Sequence, residues 1–146
     1  MNVMSRVADI LREKGHVVLW IEATSSVFDA IRMMVEADVG ALLVKDGEEI
    51  SGIFTERNYL RRGTLKGHSD RETQVRELVS SPVICVTSDT GIEECMALMT
   101  EHRIRYAPVV EGGALVGMIS IGDVVKFQST QQSFQLKLLN DYITAR

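Results

Sequence analysis

Apolar side chains recur along this chain with two different periods, and each period occurs twice. Val27, Ala30, Ile31 and Met34 stand at i, i+3, i+4 and i+7, and so do Ile92, Cys95, Met96 and Met99. That spacing gathers four apolar side chains on one helical face, so both segments are predicted as amphipathic helices that bury it. Ser25 or Ser26 can cap the first helix, and Thr90-Gly91-Ile92-Glu93 has capping-box spacing for the second. After each helix the pattern shortens to strands. Ala41 to Val44, Asp46-Gly47 and Ile50 to Phe54 read as a hairpin, and Pro108 to Val110, Gly112-Gly113 and Leu115 to Ile119 repeat it. A short helix is expected after each second strand, starting near Thr55 and Ser120. Val17 to Ile21 and Val83 to Val86 read as a further short strand before each helix. The unit is β-α-β-β-α, twice, in an α/β (α+β) chain.

The two units are one sequence repeated. Laying Ile92 on Val27, an offset of 65 residues, aligns Val27 to Leu60 with Ile92 to Val125 without a gap. It matches Met34 with Met99, Glu36 with Glu101, Val44 with Val109, Gly47 with Gly112 and Gly52 with Gly117. Val3, Val7, Ile10 and Leu11 suggest a leading helix, and Val75, Leu78 and Val79 hold the same place before the second unit. The expected division is a first repeat with its leading helix over 1–62, a polar glycine-containing linker over 63–73, a second repeat over 74–127 and a C-terminal helix over 128–146. In that tail, Phe134, Leu138, Leu139, Tyr142 and Ile143 lie on one stripe, more apolar surface than a lone terminal helix needs to expose. A partner surface is expected there.

Composition narrows the function. The chain has 146 residues, enough for a substantial core, and a net charge of −4, which argues against bulk attraction to nucleic acid. Two cysteines, Cys85 and Cys95, are neither a CxxC pair nor a disulfide framework, so a reducing, cytoplasmic setting is expected. There is no apolar run of eighteen residues, and none is expected to span a membrane.

The chemistry lies where each second strand turns into a helix. Gly117-Met118-Ile119-Ser120-Ile121-Gly122-Asp123 and Gly52-Ile53-Phe54-Thr55-Glu56-Arg57-Asn58 both read glycine, two apolar residues, a hydroxyl and, three positions later, Asp or Asn. A hydroxyl at a helix start sits among unpaired N–H groups at the positive end of the helix dipole, where a phosphate can be held. A carboxylate one turn later can accept two hydrogen bonds, which suits the vicinal hydroxyls of a ribose. The same spacing is also that of a helix cap, and the two roles are compatible.

With these motifs in place, the chain resembles tandem CBS (cystathionine-β-synthase-type) domains over nearly its whole length, and is similar to small free-standing CBS-pair proteins. The second motif fits the family pattern fully, and the first departs from it at Asn58. The resemblance implies two β-α-β-β-α repeats about a pseudo-twofold axis, with a C-terminal helix added. It also implies clefts that take sugar and phosphate contacts from one repeat and the base pocket from the other. Carried over by position, Ser120 and Asp123 would serve with Val18, Leu19, Val39, Gly40 and Ala41. Thr55, Arg57 and Asn58 would serve with Val83, Ile84, Ile104, Arg105 and Tyr106. Tyr106 and Pro108 would add flat surface, and Arg105 a phosphate partner. The implied ligand is an adenine nucleotide, with AMP, ADP, ATP and NAD as candidates, and the implied role is regulatory signal transduction to a separate protein, as a homodimer. A purely structural dimerisation module with empty clefts is the alternative.

No catalytic or metal site is expected. His16, His68 and His102 lack ligand spacing, Cys95 lies on the apolar helical stripe, and Glu93-Glu94 and Glu48-Glu49 have no convergent base or nucleophile. The basic stretch Arg57, Arg61, Arg62, Lys66 and Arg71 could meet phosphates or simply be solvated.

Overall fold

A computed structural model of the chain describes residues 5–79 and 83–144, apart from the side chains of 142–144. Val3 of the expected leading helix and the Tyr142 and Ile143 side chains of the tail stripe lie outside the described residues. The element order is α1 (Val7–Lys14), β1 (Trp20–Glu22), α2 (Val27–Ala37), β2 (Ala41–Asp46), β3 (Glu49–Thr55), α3 (Glu56–Asn58), α4 (Ile92–His102), β4 (Tyr106–Glu111), β5 (Ala114–Ser120) and α5 (Ile121–Thr144). A π-helical stretch, Tyr59–Thr64, continues α3, and a 3₁₀ turn occupies Val75–Glu77. The chain divides into two compact units, Val17–Cys85 and a second made of Met1–His16 with Val86–Arg146.

Helix α2 forms because Ser26 takes the N-cap, its hydroxyl accepting from the Asp29 amide at 3.1 Å. Val27, Ala30 and Met34 are its buried stripe, as the spacing predicts. It ends at Asp38, which adopts φ 54° so that its N–H reaches the Met34 and Val35 carbonyls. Helix α4 repeats this with Ile92, Cys95 and Met99 buried, and ends on Arg103 at φ 55°. Two non-glycine residues thus hold left-handed backbone at matching positions, each at a cost of roughly 1 kcal/mol. The expected Thr90 cap of α4 does not form. The N-cap is Gly91, with no side chain to offer, and the Thr90 hydroxyl instead accepts from the Thr87 amide at 3.0 Å.

In the Val17–Cys85 unit the sheet order is β1-β2-β3, with β1 parallel to β2 and β2 antiparallel to β3. In the other unit β4 and β5 form a hairpin whose turn, Gly112-Gly113, has φ 53° and 82°, the paired positive values of a tight two-residue connection. The strands foreseen at Val17 to Ile21 and Val83 to Val86 are shorter than expected. The first begins only at Trp20, and of the second only Val86 pairs, as a parallel bridge to Val109. Its neighbours Val83 and Ile84 lie in no strand.

The leading helices differ from the sequence reading in where they pack. Val7, Ile10 and Leu11 of α1 are buried with Ile92, Cys95, Met99 and Ile119, in the core of the second sequence repeat. Val75 and Leu78 are buried with Val27, Met34 and Phe54, in the core of the first. Each repeat therefore receives its covering segment from the other's leading stretch, and 1–62 is not a self-contained packing unit. The tail differs as well. In place of a short helix and a separate one, α5 is one continuous helix of 24 residues, buried at Val124 and Phe127 and exposed at every residue from 129 to 141.

Candidate functional site

The second motif sits where β5 becomes α5. Ser120 and Asp123 cap each other reciprocally. The Asp123 amide donates to the Ser120 hydroxyl at 3.0 Å, and the Ser120 amide donates to Asp123 Oδ2 at 2.9 Å. The Ile121 N–H donates to the Arg105 carbonyl at 2.8 Å, and Tyr106 pairs with Ser120 across the hairpin. Ile104, Arg105, Tyr106, Ser120 and Asp123 are thereby brought to one end of this hairpin. Arg105 is exposed and Ile104 and Tyr106 half-buried, whereas Pro108 is buried inside β4 and presents no flat surface to a base.

A residue that the sequence did not single out completes this cluster. Lys14, in the last turn of α1, donates from Nζ to Asp123 Oδ2 at 2.6 Å and to the Met118 carbonyl at 2.8 Å. Two residues on, His16 Nδ1 lies 2.9 Å from the Val116 carbonyl, so the end of α1 is pinned along the open side of β5. Burial of the Asp123 carboxyl pushes its pKa up. Hydrogen bonds from Lys14 and the Ser120 amide, together with the lysine's charge, outweigh that and hold it below the ordinary carboxylate value. The pair is accessible, with 39% of the Lys14 side chain and 26% of the Asp123 side chain exposed.

The first motif is built alike and finished differently. Ala41 pairs with Thr55 across β2 and β3, and the Glu56 amide donates to the Gly40 carbonyl at 3.2 Å. Val39, Gly40, Ala41 and Thr55 therefore adjoin one another. Thr55 Oγ1 accepts from the Asn58 amide at 3.1 Å and donates to Asn58 Oδ1 at 2.6 Å. Asn58 is only 8% exposed, and its Nδ2 donates to the Leu78 carbonyl at 2.8 Å. Arg57 projects from the same turn and is exposed, while Val18 and Leu19 are half-buried ahead of β1. Next to Val39, a pocket of about 410 Å³ lies between α2, β3 and the π-helical stretch, walled by Met34, Phe54, Tyr59 and Leu60 with Asp38 and Glu56 at its polar side.

Among the described residues no group of three or more His, Cys, Asp or Glu could hold a metal ion, and no helix is long and apolar enough to cross a membrane. Burial pushes the thiol pKa of both cysteines up, which makes them poorer nucleophiles.

Two repeats of strand, helix and hairpin, each ending in a hydroxyl-capped helix, define a class of paired regulatory modules, and the sequence profile of the CBS domain matches residues 7–63 and 75–130. The chain belongs to the CBS-domain family, as a CBS-pair protein of the regulatory-module type. It is 38% identical to the CBS domain-containing protein CBSX3, mitochondrial, of Arabidopsis thaliana, over 94% of this chain and 71% of that one. Among solved structures, a protein with CBS domains from Burkholderia ambifaria MC40-6 superimposes with a TM-score of 0.84 at 44% identity, covering 88% of this chain and 96% of the other. A hexameric CBS-CP12 protein from bloom-forming cyanobacteria gives 0.76 at 28% identity, over 86% and 72%.

Proposed function

We propose that the chain is a non-catalytic sensor of adenine nucleotides, of the AMP, ADP, ATP or NAD type, that passes occupancy to a separate protein. The observation that carries this reading is the convergence on one hairpin end of a helix-start hydroxyl (Ser120), an accessible carboxylate (Asp123) and a cation (Lys14). That set matches the needs of a ribose and a phosphate: acceptors for a diol, and donors with positive charge for an anion. Val18, Leu19, Val39, Gly40 and Ala41 remain the residues proposed for the base.

Self-association is part of the same reading. Phe134, Leu136, Leu138 and Leu139 are all more than half exposed on α5, and pairing two copies about a twofold axis is the simplest closed way to cover them. A relative is hexameric, so such modules do assemble. The cytoplasmic setting rests on the two unpaired cysteines, while one relative is named mitochondrial.

A structural module without ligand is the second reading, favoured by the fact that Ser120, Asp123 and Thr55 already serve as helix caps and the Asn58 side chain is already bonded to Thr55 and Leu78. A thermal-shift panel of AMP, ADP, ATP and NAD separates the two, since a ligand of the folded state at 100 times its Kd adds about 2.7 kcal/mol. We expect at least one nucleotide to raise Tm, and no shift with any of them at millimolar concentration would leave the structural reading.

A further inference from the structure

We propose that Lys14 is the residue that makes the Ser120–Asp123 site discriminate a phosphorylated ribose from a neutral nucleoside. The assignment rests on the nucleotide reading above and extends it to a side chain outside both motifs, on a helix that the sequence attaches to the other repeat. Asp123 Oδ2 accepts from the Ser120 amide and from Lys14 at 2.6 Å. A ribose diol that engages both oxygens of this carboxylate must therefore compete with the ammonium for Oδ2.

The outcome of that competition depends on what the ligand gives back. A neutral nucleoside offers Lys14 no anion, so the displaced ammonium keeps only its 2.8 Å bond to the Met118 carbonyl. A nucleotide brings a phosphate, and an ammonium with three N–H donors on a four-carbon stem can transfer to it while the diol takes the carboxylate. The exchange is then charge for charge. Lys14 suits this role because it is half-exposed and joined to α1, whose own anchorage in the core by Val7, Ile10 and Leu11 does not depend on the ion pair.

The test is calorimetry of adenosine and AMP on the full chain and on Lys14→Met, which keeps the stem and removes the charge. We expect adenosine to bind Lys14→Met about threefold tighter and AMP about threefold to tenfold weaker, the scale of one partly exposed charge pair. Selectivity for AMP over adenosine thus shrinks by roughly tenfold or more. Lys14→Arg should retain the wild-type selectivity, and an unchanged melting transition for each variant confirms that α1 is still packed. Equal factors for both ligands, or no change for either, overturn the assignment and leave the nucleotide reading intact. If none of AMP, ADP, ATP and NAD binds the wild-type chain at millimolar concentration, that reading falls and the role of Lys14 falls with it.

Discussion

The two helix starts carry the same motif at matching positions and put its last residue to opposite uses. Asp123 is an accessible carboxylate whose partners are a lysine and a backbone amide, both replaceable by ligand groups. Asn58 is a buried amide that gives its N–H to Leu78 and takes the Thr55 hydroxyl, which fastens the covering segment Val75–Leu78 to the end of β3. The last position of the motif ties down the leading segment in both units, through Lys14 in one and the Leu78 carbonyl in the other. Only the tie made through an exposed side chain can be exchanged for a ligand.

The most damaging way to erase this difference is Asn58→Asp, which gives the first motif the residue of the second. It sets a carboxylate against the Leu78 carbonyl at a site 8% exposed, and we expect a loss of about 2–3 kcal/mol, read from the urea midpoint, with no gain in AMP binding. A neutral effect accompanied by a new AMP site would erase the contrast. Asp123→Ala should do the reverse, weakening AMP about tenfold or more in calorimetry while costing under about 1 kcal/mol in stability. Gly117→Ala comes next. A Cβ there would stand 2.7 Å from Leu11 Cδ2, inside a packed core, so about 1–2 kcal/mol should be lost even though Leu11, on α1, is far from Gly117 of β5 in sequence.

Smaller effects sharpen the comparison further. Because the folded state holds the Asp123 pKa below its unfolded value, the pair contributes stability that is present at neutral pH and lost as pH falls through the depressed value. Between pH 7 and acid, the wild-type chain should lose up to about 1 kcal/mol more than Asp123→Asn, measured by urea unfolding at each pH. Least of all, Asp38→Gly and Arg103→Gly should each gain about 0.5–1 kcal/mol by relieving left-handed backbone, and by similar amounts if the two helix ends are as alike as their φ values.

Much of this was legible in the chain, for a physical reason in each case. The stripes at Val27 and Ile92 and the glycines at Gly47 and Gly112-Gly113 act locally, so periodicity and turn chemistry locate α2, α4 and both hairpins. Expectations failed where the outcome depends on distant partners. Val7, Ile10 and Leu11 announce an apolar face without saying which core receives it. Thr90 has the right spacing for a cap, yet the residue that lands at the N-cap is Gly91. The motif singles out Ser120, Asp123 and Thr55 but not Lys14, because a lysine in a last helical turn usually answers only to the helix dipole. The flat surface expected of Pro108 is absent for a related reason, since a residue's place along a strand does not reveal whether that side is covered.

The division of the chain also sets an order of assembly during synthesis. Residues 17–85 can close their core as soon as Val75 and Leu78 leave the ribosome, whereas α1, made earlier, has no partner until α4, β4 and β5 follow. At about 5–20 residues per second, Val7, Ile10 and Leu11 stay uncovered on the nascent chain for roughly five to twenty seconds. A ribosome that pauses once Val86 has cleared it would therefore hold a closed 17–85 core and an α1 whose apolar face still has no partner.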